Sequence, residues 1–105
     1  MKKYLFLLFA FLIQLVYSQS EARFDSATVA YNKGDYEKAI AYYKEILGEG
    51  KHSAALYYNL GNSFYKLNQI APSIYYYEKA LLLAPNDPEI KNNLVYAQNM
   101  TLDAI

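Results

Sequence analysis

The stretch Leu56-Tyr57-Tyr58-Asn59-Leu60-Gly61-Asn62-Ser63-Phe64-Tyr65-Lys66 puts Tyr57, Leu60, Gly61 and Phe64 at i, i+3, i+4 and i+7, the spacing of one α-helical face. Tyr58, Asn62 and Tyr65 fall on a neighbouring face, at i, i+4 and i+7. A glycine inside a helix costs about 1 kcal/mol relative to alanine, so Gly61 needs a structural reason. The reason expected is a second helix crossing so close that a side chain would hold the two apart. That helix follows in Ala71-Pro72-Ser73-Ile74-Tyr75-Tyr76-Tyr77-Glu78-Lys79-Ala80-Leu81-Leu82-Leu83. Ser73, Tyr77, Ala80 and Leu81 share one of its faces, with small residues where a partner would approach.

Tyr57, Leu60-Gly61, Phe64, Ala80 and Pro85 stand at fixed offsets along residues 54–87. This unit resembles a tetratricopeptide repeat, a helix–turn–helix of 34 residues. Ser73 replaces the family's usual alanine and keeps that position small. The period also reaches backwards. Gly34, Tyr36, Ala39, Ile40, Tyr42, Tyr43 and Leu47 precede Asn68, Ile70, Ser73, Ile74, Tyr76, Tyr77 and Leu81 by one repeat length, and each pair matches in role.

Residues 20–53 therefore read as a first repeat. Asn32-Lys33-Gly34-Asp35 is its internal turn, with Gly34 suited to a left-handed C′ conformation and Asp35 to capping the next helix. Its first helix, about 20–33, departs from the family pattern. Arg23, Ser26 and Ala30 stand where an aromatic, a leucine and a large aromatic are usual, as in an atypical end repeat. Gly48-Glu49-Gly50-Lys51 closes this repeat with a looser turn than the usual proline. A third segment starts at Asn86-Asp87-Pro88-Glu89, with Asp87 as N-cap and Pro88 at the first helical position. Ile90, Leu94, Ala97 and Thr101 form a stripe that would cover the second repeat, while Val95 takes the place of the glycine.

Composition narrows the function. The 105 residues include 13 tyrosines and no cysteine, with 10 basic and 10 acidic side chains. No basic field suits nucleic acid, and neither a disulfide framework nor a thiolate metal site is available. Met1-Lys2-Lys3 followed by the apolar run Tyr4 to Val16 reads as an export signal, cut after Ser18 in Val16-Tyr17-Ser18. The apolar run is shorter than the roughly 20 residues of a spanning helix and includes Gln14. Removal of Lys2 and Lys3 leaves 8 basic and 10 acidic side chains, a net charge of −2. The expected location is the periplasm, in a bacterium with two membranes, or the exterior.

The fold expected is all-α, a right-handed solenoid of tandem tetratricopeptide-like helix–turn–helix units. Its parts are a signal peptide at 1–18 and a repeat domain at 19–105, divided into repeat one (20–53), repeat two (54–87) and a closing helix (88–104).

Catalytic chemistry is thin. His52 is the one histidine and sits in the inter-repeat turn, where a solvated role is expected. Asp35, Asp87 and Glu89 cap helices, and Glu37, Glu45 and Glu78 lie beside lysines on outer faces. No phosphate loop, Ser/His/Asp set, metal spacing or cofactor site is present, so no enzyme is expected. What remains is surface. The resemblance implies a concave groove lined by the first helices of each repeat. Its positions would be Phe24, Thr28 and Tyr31; then Tyr58, Asn59, Asn62, Tyr65 and Lys66; then Asn92, Asn93 and Tyr96. Tyrosine supplies apolar area with a polar tip, and asparagine amides hydrogen-bond a peptide backbone. A peptide or helix of a partner protein is the expected occupant. A carboxylate clamp is not, because Phe24, Glu89 and Asn93 stand where the family's chaperone-binding members carry Lys or Arg.

The order of the motifs also resembles the exported repeat proteins of bacterial aerotolerance (Bat) operons. It consists of an export signal, Tyr-Asn-Lys-Gly-Asp-Tyr-Glu-Lys-Ala-Ile, Ala-Leu-Tyr-Tyr-Asn-Leu-Gly-Asn and Ala-Pro-Asn-Asp-Pro-Glu-Ile-Lys-Asn-Asn-Leu. That resemblance implies an envelope complex with a von Willebrand factor A-type partner, and a membrane tether only through sequence beyond residue 105. The rival reading is a structural part of such a membrane-anchored protein. A second apolar stripe, Val95, Leu102 and Ile105, suggests self-association through the closing helix.

Overall fold

The computed structural model describes residues 2–103, without the side chains of 15–18 and 103. Five helices follow one another, α1 (Lys2–Asn32), α2 (Tyr36–Gly48), α3 (Ala54–Lys66), α4 (Ile70–Leu83) and α5 (Pro88–Asp103). No strand occurs among the described residues. α1 and α2 form one helical hairpin, α3 and α4 a second, and α2 joins them by packing on α3. α5 lies mainly on α4 and touches α3. The architecture is thus all-α, two tandem hairpins with a closing helix. Ile105 of the proposed second stripe, and the last residue assigned to the closing helix, lie outside the described residues.

The two hairpin turns are built alike. Gly34 has φ +83°, and the chain reverses as Gly34 N donates to Tyr31 O (3.0 Å) and Asp35 N to Ala30 O (2.9 Å). At the equivalent place in the next hairpin Asn68 has φ +59°, with Asn68 N on Tyr65 O (2.9 Å) and Gln69 N on Phe64 O (3.0 Å). Asparagine is the side chain that tolerates this left-handed conformation best after glycine. Side-chain caps start three of the helices. Asp35 Oδ1 accepts from Lys38 N at 3.3 Å, Ser53 Oγ from Leu56 N at 3.1 Å, and Asp87 Oδ1 from Glu89 N and Ile90 N at 3.0 and 3.2 Å. Each satisfies amide protons that the first turn leaves without helical acceptors.

Two apolar clusters hold the hairpins. The first gathers Ala27 and Ala30 of α1, Ala39, Ile40, Tyr43 and Ile46 of α2, and Leu56, Leu60 and Phe64 of α3. The second gathers Tyr57, Tyr77, Ala80, Ile90 and Ala97. Tyr76 packs on both, its ring stacked 5.6 Å from Phe64 and 6.1 Å from Tyr57. Because a helix turns about 100° per residue, the run Tyr75-Tyr76-Tyr77 sends its rings three ways. Tyr75 is exposed, Tyr76 bridges the clusters and Tyr77 is fully buried.

Three sequence expectations are corrected. The first helix does not begin near residue 20 but runs unbroken from Lys2, because the apolar leader has helical propensity and no breaker divides it from the repeat. Its large side chains from Tyr4 to Ile13 are exposed, and the first buried residue among those described is Ser20. By length and composition α1 is long and apolar enough to cross a membrane, a test that a signal sequence also passes. Arg23, where an aromatic is usual, meets α2 through charge. Its guanidinium pairs with Glu49 and lies 3.6 Å from Glu45, and Ser20 Oγ donates to Glu49 at 3.1 Å. Glu45 therefore faces across to α1, and its role is not confined to a surface pairing with Lys44. Thr101, finally, is exposed and donates to Ala97 O at 3.2 Å, so the stripe on α5 ends at Ala97.

Candidate partner-binding groove

The concave face is organised by one tyrosine from the second helix of each hairpin. Tyr77 crosses beneath α3 at Gly61 and donates its hydroxyl to Asn62 Oδ1 at 2.5 Å. One repeat earlier Tyr43 lies beneath α1, its hydroxyl 3.4 Å from Thr28 Oγ1. Thr28 and Asn62 are equivalent positions, so the contact recurs with the period. Both phenols have pKa values raised above the ordinary value, chiefly by burial. They are neutral at physiological pH and available as donors.

From Asn62 the network passes to α5. Asn93 Nδ2 donates to Asn62 Oδ1 at 3.1 Å and to Tyr58 Oη at 2.9 Å. The Tyr58 phenol is also held above its usual value, mainly by burial. Helices α3, α4 and α5 are thus tied by polar side chains on one face. Above this floor Tyr31, Tyr65 and Tyr96 complete the wall of a cavity of about 90 Å³, lined otherwise by Asn62, Tyr77 and Asn93. That is room for one side chain. Tyr31 is braced by an edge-on contact with Tyr36, ring centroids 5.2 Å apart. No charged side chain lines the cavity among the described residues.

The structure brings together Tyr31, Asn62, Tyr65, Asn93 and Tyr96 of the sequence-derived positions, with Tyr58 joined through Asn93. The other five stand apart from this cavity. Phe24 packs edge-on to Tyr43 at 5.5 Å and lines a separate apolar hollow with Ile46 and Leu56. Thr28 spends its hydroxyl on Phe24 O at 3.1 Å. Asn59 is half-buried, and its carbonyl accepts from Ser63 Oγ at 2.8 Å. Lys66 and Asn92 are exposed. Tyr77 was not among the groove positions, since its spacing with Ser73 and Ala80 marked it as a packing residue. It is both: the ring packs and the hydroxyl reaches the groove. The signal that could have found it is the recurrence of Tyr43 and Tyr77 behind two polar residues, Thr28 and Asn62.

His52 is exposed and its Nδ1 contacts the Tyr57 hydroxyl. No group of acidic and histidine side chains suited to a metal ion occurs among the described residues. The tyrosine and asparagine side chains that line the cavity offer hydrogen bonding and aromatic contact.

A family model of the tetratricopeptide repeat matches residues 6–54 and again 24–89. The first match begins at Phe6, inside the apolar half of α1. A search of curated proteins returns no match. The family match concerns the repeat itself and does not extend to the aerotolerance proteins whose motif order the sequence resembles.

Proposed function

The chain belongs to the tetratricopeptide repeat family, and from that premise we propose that it is an exported interaction module that holds a segment of a partner protein in its concave groove. Repeats of this family in general mediate protein–protein interaction and are in general non-enzymatic scaffolds. The observation that supports the groove assignment is the cavity between Tyr31, Tyr65 and Tyr96, lined also by Asn62, Tyr77 and Asn93. Tyrosine is enriched among residues that dominate binding energy, because it buries a large rigid area at low entropic cost. Export is supported by the basic start and by the exposed apolar first half of α1, whose described side chains belong to neither core cluster. An envelope complex is the natural setting of such a module.

The test compares full-length wild type with two variants as bait in an envelope extract solubilised in mild detergent. Tyr65→Ala combined with Tyr96→Ala alters the groove, and Tyr75→Ala alters the opposite face. Proteins held by wild type and Tyr75→Ala but lost from the groove variant support the reading. Proteins lost only from Tyr75→Ala would move the docking face to the back of the solenoid.

A further inference from the structure

Helix α5 is held from one side. Its side chains Ile90 and Ala97, with Leu94 beside them, pack into the second cluster with Tyr77 and Ala80 of α4. Val95, two residues before Ala97 and so on the far flank, is exposed. Aliphatic contacts of this kind are non-directional, and packed helices shift on them by about 1–2 Å. They keep α5 on α4 without fixing its tilt towards α3.

That tilt is fixed by polar side chains at helical spacing on both helices. Tyr58 and Asn62 stand four apart on α3, and Glu89 and Asn93 stand four apart on α5, so each pair shares a face. Asn93 Nδ2 donates to Tyr58 Oη at 2.9 Å and to Asn62 Oδ1 at 3.1 Å. Asn62 Oδ1 is held in turn by the buried Tyr77, whose hydroxyl donates to it at 2.5 Å. Burial is the main reason that the Tyr58 phenol keeps its proton; a hydrogen bond to Asn62 lowers its pKa and one to the Glu89 carboxylate raises it. The contact is thus anchored in the core at one end and on α5 at the other. Hydrogen bonds reach only about 3 Å and depend on angle. This contact therefore admits one placement of α5 where the apolar one admits several.

Tyr96 follows Asn93 by three residues, on the same side of the helix. It is the aromatic wall that α5 gives to the cavity, as Tyr31 is the wall given by α1. The geometry assigns Asn93 as the positioning residue of the groove. By tying α5 to Tyr58 and Asn62 it holds Tyr96 at its distance from Tyr31, and without it α5 tilts outward on α4 and the cavity widens. What the placement serves rests on the concave face being the docking face; the placement itself is measured without a ligand.

The chain has no cysteine, so pairs of spin labels can be placed at chosen sites. Asn32→Cys at the end of α1 and Gln98→Cys on α5, both exposed, report the α1–α5 distance by pulsed electron paramagnetic resonance of the full chain in mild detergent. Asn32→Cys with Lys66→Cys reports α1–α3 as the control. Asn93→Ala is expected to lengthen the α1–α5 distance by about 2 Å and to broaden its distribution, with the α1–α3 distance unchanged. Tyr58→Phe keeps the ring, removes one of the two acceptors and should shift the same distance by less. A residue that only adds stability would lower the melting temperature and leave the distance alone. An α1–α5 distance in Asn93→Ala equal to wild type therefore overturns the proposal, and so does equal lengthening of both distances. If Asn93→Ala does not fold, Tyr58→Phe decides, and a wild-type distance there overturns it. The docking face is judged apart from this. A shifted α1–α5 distance, with capture from envelope extract unchanged in the Tyr65→Ala, Tyr96→Ala variant, keeps the role of Asn93 and removes the docking face.

Discussion

The ring of Tyr77 occupies the space that a side chain at Gly61 would need. A β-carbon on Gly61 would stand 2.5 Å from Tyr77 Cδ1 and 2.6 Å from Cε1. One turn earlier on the same helix, Ser73 Oγ donates to the Gly61 carbonyl at 2.8 Å. The close approach of α4 to α3 is what lets the Tyr77 hydroxyl pass under α3 and reach Asn62. A packing glycine thereby sets the floor of the groove.

Gly61→Leu should destabilise the protein by about 1–3 kcal/mol through overpacking. The clash falls on a ring that is 1 % exposed and cannot swing aside. A thermal melt indistinguishable from wild type would show that the helices separate there without cost.

Tyr31, Tyr43, Tyr58, Tyr76 and Tyr77 all have phenol pKa values raised above 10.0, with burial the largest cause. In the unfolded chain these phenols ionise near pH 10, whereas in the folded protein they stay protonated to higher pH. Stability is thus fully present below about pH 10 and falls as pH rises from there towards the folded-state values. Tyr77→Phe should lose about 1 kcal/mol at neutral pH, with the hydrogen bond to Asn62, and should show a shallower alkaline decline. Melting temperatures from pH 7 upward, with tyrosinate absorbance, check both parts. An alkaline slope equal to that of wild type would mean that Tyr77 does not resist ionisation.

Tyr65→Ala combined with Tyr96→Ala should weaken partner binding by about 2 kcal/mol or more with helicity nearly unchanged. Tyr58→Ala is the less clean probe, because Tyr58 accepts from Asn93 and its ring lies 6.0 Å from that of Tyr77. It should lower the melting temperature as well. Calorimetry on a partner recovered from extract, paired with circular dichroism, separates the two effects. Unimpaired affinity in the Tyr65/Tyr96 variant would take the cavity out of the binding face.

The exported product should begin at Gln19. A cut after Ser18 leaves Ser20 in place to donate to Glu49, and Arg23 to pair with the same carboxylate. Intact-mass measurement of the protein recovered outside the cytoplasm decides it. A mass retaining Met1 would mean that the apolar half of α1 stays on the folded chain.

Val95 and Leu102 on α5 are 51 % and 68 % exposed. Val95 stands one repeat beyond Gly61, at a position that in the preceding hairpins is buried under the following helix. Sedimentation in mild detergent should show the full chain as a dimer, and Val95→Lys combined with Leu102→Glu should shift it to a smaller species. Equal sedimentation of the two proteins would show that this face has no partner copy.

Helices and turns could be read from the chain because their causes are local. The i, i+3, i+4 spacing marked the buried faces, and Gly34, Asp35 and Asp87 with Pro88 marked the ends. Asn68 needed the period, since only its equivalence to Gly34 identifies it as the left-handed residue of the second turn. The start of α1 was misplaced for a local reason too. The leader is as helical as the repeat, and nothing in the sequence between them stops the helix.

The amino-acid sequence by itself determined a tyrosine-rich repeat array with balanced charge and the helical face that carries Tyr31, Tyr65 and Tyr96. Only the tertiary structure decided which of that face's polar groups are left for a partner. Asn62 is bound by residues 15 and 31 positions away, and Asn93 reaches Tyr58 across 35. Such partners are chosen by the distance between packed helices, which Gly61 and Tyr77 set, and helical periodicity carries no record of that distance.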